Sequence, residues 1–155
     1  MSLATTLKSA LAALLIASPT FAADIMIMDP YARASSPSAK AGAAFMMIHN
    51  HGASDRLIDV TSPAAKRVQL HTHLEDDNGI MKMMHVEEGF ELPENGMLSL
   101  ARGGHHVMFM GLTEPFEQDA MVPVTLIFEK AGEVEIEIPV DLERQDMGGH
   151  GSHSN

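Results

Sequence analysis

Apolar and polar positions alternate along this chain in short bursts, each closed by residues that turn the backbone. Such segments run over 24–33, 43–50, 56–62, 66–74, 80–86, 96–101, 106–112, 123–130 and 133–140. Alternation with period two marks strands that bury one face. Between them lie "HNHGASD", "EDDNG", "PENG" and "KAGE", which carry turn residues. Asn78-Gly79, set between two alternating segments, predicts a hairpin. Pro30 interrupts the first segment, and "SPAAKR" at 62–67 has room for one helical turn. There is no long amphipathic helix and no internal repeat. Short strands at this spacing predict an all-β Greek-key sandwich or barrel.

The two ends depart from the pattern. Residues 1–22 combine Lys8, an apolar run from Ala10 to Ala17 and a small-x-small Thr20-Phe21-Ala22. That predicts a secretory signal peptide cut between Ala22 and Ala23, and with it a periplasmic protein. The apolar run falls short of the ~20 residues that span a bilayer. Residues 143–155, "ERQDMGGHGSHSN", hold Gly, Ser and His with little to bury, so a disordered tail is expected there. The folded part is then one domain over 23–142, as expected for a chain of 155 residues.

Charge and composition narrow the function classes. The formal net charge is −11, and removing the single cation Lys8 with the leader makes it −12, which argues against nucleic acid or an anionic membrane surface as partner. There is no cysteine, so neither a disulfide nor a thiolate ligand is available. Of 13 methionines, all but Met1 lie beyond the leader, and tryptophan is absent. A lone buried methionine is ordinary core filling, but this load is not ordinary.

Strand parity sorts the methionines with the histidines. In "RGGHHVMFMGL", 102–112, His106, Met108 and Met110 share one strand face, while His105, Val107 and Phe109 share the other. In "VQLHTHL", Gln69, His71 and His73 lie opposite Val68, Leu70 and Thr72. In "IMKMMH", Met81 and Met83 lie opposite Lys82 and Met84. Pairing of the last two segments across "EDDNG" brings a histidine face against a methionine face. Thioether sulfur is soft and neutral, so it favours copper(I) over zinc(II) or magnesium(II), and imidazole serves both copper states. Zinc would ordinarily recruit cysteine or a carboxylate.

"GAAFMMIHNHG", "DRLIDVTSPAA", "VQLH", "GIMKM", "LPENG", "GGHHVMFMGL" and "VTLIFEKAG" together resemble the periplasmic copper chaperone family PCu(A)C, over most of the span from Tyr31 to Val140. The resemblance implies a cupredoxin-like β-sandwich that binds copper(I) through two His and two Met near the surface. It also implies delivery of copper to the copper A centre of cytochrome c oxidase, beside Sco-type proteins. By local wording, the family's ligands fall on His71, Met83, His106 and Met108. By literal spacing, His73 and Met84 replace the first two. The longer "EDDNG" and "VEEG" turns favour the wording, since turns absorb insertions without moving strands. Met110 is expected as a neighbour rather than a ligand.

Several function classes follow. The first is a non-enzymatic copper(I) metallochaperone, and the second is copper sequestration without a specific recipient. An enzyme is not expected, because no cysteine offers a blue-copper ligand and no nucleophile–base spacing is legible. A purely structural methionine-rich sandwich is the last. The tail histidines His150 and His153, among Gly and Ser, add an expected copper(II) site, since imidazole and amide nitrogen suit its tetragonal geometry.

Overall fold

A computed structural model of the chain describes residues 24–144. The expected signal peptide and most of the expected tail, with His150 and His153, lie outside these described residues. The strands are β1 (Ile25–Ala34), β2 (Ala41–Asn50), β3 (Asp55–Thr61), β4 (Ala65–Glu75), β5 (Met81–His85), β6 (Phe90–Leu92), β7 (Met97–Leu100), β8 (His106–Leu112), β9 (Met121–Phe128) and β10 (Gly132–Pro139). They form two antiparallel sheets. The larger has the order β1-β2-β8-β4-β5 with β7 also against β2, and the smaller has the order β10-β9-β3-β6. This is the expected cupredoxin-like β-sandwich.

Alternating side chains explain why the sheets stack. Ile48, Leu70, Val107 and Phe109 point inward from the larger sheet, and Leu57, Leu126, Phe128 and Ile138 from the smaller, all buried in one core. Each alternating segment of the sequence lies on a strand. β6 is the addition, because three residues are too few to show a period. "SPAAKR" corrects one expectation: Pro63 and Ala64 make a plain turn, and β4 starts at Ala65 without a helical turn. Pro30 does not end β1 but shifts its register between Met28 and Tyr31, with Asp29 at φ 49°. Such an irregularity is tolerated because β1 is an edge strand of the larger sheet. Arg144, which the sequence groups with the tail, forms an ion pair with Asp29 and stacks on Tyr31 at 4.1 Å.

Two local arrangements position everything that follows. β4 lies between β5 and β8, so its outward side chains have neighbours on both sides. β2 shares one long edge between two partners, Ala41–Ala44 with β8 and Met46–His49 with β7. The excursion between β7 and β8 carries "RGG", where Gly103 adopts φ 79°, a left-handed conformation that glycine accepts without steric cost.

Phe109 is fully buried and packs edge-on against Phe116, with centroids 5.4 Å apart. Phe109→Ala is expected to lower unfolding free energy by about 3–5 kcal/mol in urea denaturation. Ile58→Ala, at a side chain 39% exposed, should change it by less than about 1 kcal/mol.

Candidate metal centre

The centre grows from β4. Its inward residues Leu70 and Thr72 are buried, which turns Gln69, His71 and His73 outward. The register then assembles neighbours across two ladders. His71 stands opposite His85 on β5 and opposite His106 on β8, His73 opposite Met83, and Gln69 opposite Met108. The His106 ring lies 5.9 Å from that of His71 and 5.1 Å from that of His73. Phe45 of β2 lies beside His106, with centroids 6.2 Å apart. His106 is therefore buried on an outward face, at 2% exposure, whereas Met83 is 45% exposed. The centre has an imidazole floor and a thioether rim.

Hydrogen bonds fix which lone pairs remain available. His106 Nδ1 donates to the Gly104 carbonyl at 2.9 Å, which leaves Nε2 as the acceptor of a neutral ring. Gly104 is itself held, its N–H donating to Ala101 O at 3.0 Å, so the glycine turn sets the orientation of this ring. His71 Nε2 donates to Gln69 Oε1 at 3.2 Å, leaving its Nδ1 unprotonated. That Nδ1 and the Nδ1 of His73 are both buried without a hydrogen-bond partner. Buried polar atoms normally have one, and leaving them bare is costly. A cation above these rings would use what the hydrogen bonds leave over.

Electrostatics favour the metal-binding form of the rings. Burial pushes the His106 pKa down, against the Gly104 carbonyl, which raises it, and His73 and His105 add further lowering. Burial likewise lowers His71, with His106 and His85 contributing. Neutral imidazole is the species that ligates. Among the described residues, no group of three or more His, Cys, Asp or Glu side chains is arranged to hold an ion. The thioethers of Met83 and Met108 stand beside these rings in the register.

The four residues selected by wording, His71, Met83, His106 and Met108, lie on this one face, and His73 lies there with them. Met84 does not. It stands opposite Thr72 and so belongs to the other face of the sheet, where it lines a cavity with Thr72, Phe90 and His105. His105 is engaged there too, its Nδ1 2.9 Å from Thr72 Oγ1 and its ring 4.2 Å from Phe90. Met110 stands opposite Arg67, two rows from His106. His85 and Gln69 are members of the face that sequence reasoning assigned no role. Parity with Met83 and His71 was the signal for both.

Residues 25–140 match the LpqE-like lipoprotein family. Among curated proteins, "Putative lipoprotein Lxx21020" of Leifsonia xyli subsp. xyli is 36% identical over 99 residues, 63% of this chain. The chain matches 59% of that relative's length. Among solved structures, the copper-bound PCuAC domain from PmoF2 is 28% identical at TM-score 0.62, covering 77% of this chain and 93% of that one. The copper(I)-bound solution structure of DR1885 from Deinococcus radiodurans is 27% identical at TM-score 0.59, covering 77% and 80%.

The lowered histidines generate a pH dependence in the metal-free protein. An unfolded histidine titrates at about 6.5, and His71 and His106 titrate lower when folded. As pH falls through that value, the unfolded chain takes up protons that the folded chain refuses. The stability present above it is therefore lost on acidification. Urea midpoints of the metal-free protein should decline from about pH 7.5 to about pH 5, and decline less steeply in His106→Asn. Parallel declines would show that His106 does not contribute.

Proposed function

The chain belongs to the LpqE-like lipoprotein family, and from that premise we propose that it is an exported copper(I) metallochaperone of the PCu(A)C kind. The observation that carries the reading is the pair of buried Nδ1 atoms on His71 and His73, unpartnered beside His106 and flanked by Met83 and Met108. Copper is the cargo. Its ligands in this proposal are His71, Met83, His106 and Met108, with His73 as the adjacent competitor for the first position.

The donor set matches the cargo. Two imidazoles and two thioethers are all neutral, so the bound ion keeps its charge, which a monovalent ion tolerates better than a divalent one. Soft sulfur selects copper(I) over zinc(II). The geometry suits transfer as well as holding. His106 is fixed in the floor, whereas Met83 sits at the rim on a flexible side chain, where an incoming ligand can displace it first. A recipient with thiolates would then draw the ion away by ligand exchange.

The destination in this proposal is the copper A centre of cytochrome c oxidase, with a Sco-type protein as partner, in the periplasm. The tail histidines His150 and His153 hold copper(II) in the same scheme. The role is binding and transfer rather than turnover.

A copper(I) competition titration against a chromophoric chelator tests the ligand set. His71→Ala, Met83→Ala, His106→Ala and Met108→Ala should each weaken binding by at least about tenfold, whereas Met84→Ala should leave it within about twofold. His73→Ala should weaken it less than His71→Ala. Equal losses at Met83 and Met84 would overturn the assignment. Transfer of copper(I) from the loaded protein to an apo copper A domain tests the recipient.

A further inference from the structure

The outward face of the larger sheet carries a second concentration of sulfur and imidazole, away from the cargo site. On β2, Phe45, Met47 and His49 share that face, because Met46, Ile48 and Asn50 are buried on the other. β1 lies on one side of β2 and β7 on the other. Their registers set Met26 opposite His49 from one side and Met97 opposite His49 from the other. One row across three strands therefore reads Met, His, Met. His51 follows just beyond β2, its ring 4.1 Å from that of His49.

Geometry and exposure both point to a ligand. Residues directly opposed in an antiparallel pair have Cβ atoms about 4.5–5.5 Å apart, within reach of a flexible methionine on either side of one ring. Met26 and Met97 are 48% and 57% exposed, so neither contributes much to the core. The backbone beneath them is fixed, with Asn50 N–H bonded to Gly96 O at 2.9 Å and His51 N–H to Asp24 O at 2.8 Å. The Asn50 side chain also donates to Ala53 O at 2.7 Å and Pro93 O at 3.1 Å, tying the end of β2 to the segment that leads into β7.

We propose that Met26, His49 and Met97 form a second site for a soft monovalent cation, copper(I), with His51 as an additional ligand. Two thioethers and an imidazole make a neutral, soft donor set of the kind that discriminates against zinc(II) and magnesium(II). The site is separate from the cargo centre. Phe45, beside His106, lies four positions before His49 on β2, or about 13 Å at ~3.3 Å per residue. The proposal does not require the cargo reading to be correct.

The test uses the mature full-length chain with carbon-13 methionine methyl groups and copper(I) added anaerobically as its acetonitrile complex. The Met26 and Met97 methyl signals should shift and saturate with a second equivalent, apart from those of Met83 and Met108. Met26→Leu, Met97→Leu and His49→Gln should each weaken that equivalent about tenfold and leave the Met83 and Met108 shifts unchanged. The proposal is overturned if the Met26 and Met97 signals stay still in excess copper(I), or if the triple variant keeps the second equivalent. A response at Met26 and Met97 with none at Met83 and Met108 would support this site and reject the cargo reading.

Discussion

The register of β4 is the constraint on which the centre depends. Its side chains alternate, so burying Leu70 and Thr72 commits Gln69, His71 and His73 to the outward face. A slip of one residue would put both imidazoles into the core and Leu70 into solvent. The same burial fixes its neighbours, because Leu70 stands opposite Val107 in the core ladder and thereby sets His71 opposite His106. On the other side, the turn at 76–80 closes the hairpin so that Met83 stands opposite His73. Hydrophobic burial on one face of the sheet thus specifies the polar arrangement on the other.

Within that frame, small features decide the chemistry. The Gly103–Gly104 turn presents a carbonyl to His106 Nδ1 and so leaves Nε2 with its lone pair in the neutral ring. Gln69 does the corresponding service for His71 from two residues away. Burial keeps both rings neutral where an exposed histidine would begin to charge. The Met83 thioether lies nearer the solvent than the deepest ring, which places a weak and mobile donor within reach of an incoming ligand.

Much of this was legible in the sequence, because period-two alternation is a local signal. The main strands, the Asn78-Gly79 hairpin and the sorting of His71, Met83, His106 and Met108 onto matching faces all follow from it. Spacing alone could not separate Met83 from Met84, since an inserted residue in a turn changes the count without changing the strand. Strand parity puts them on opposite faces, and the ladder sets Met83 opposite His73 and Met84 opposite Thr72. β6 carries no legible signal, and 62–67 reads equally as a helical or a plain turn, because each involves too few residues to carry a pattern. The row of Met26, His49 and Met97 was hidden for a different reason. It depends on β2 sharing one edge between β7 and β8, a long-range pairing that no local period reveals.

The central claim is that imidazole and thioether donors from three strands close on one copper(I) ion. X-ray absorption at the copper edge of the protein loaded with one equivalent of copper(I) tests it most directly. The account predicts a reduced-copper edge and a first shell containing both nitrogen and sulfur scatterers, with the sulfur contribution diminished in Met83→Ala and in Met108→Ala. A first shell of nitrogen and oxygen alone, unchanged by either substitution, would contradict it.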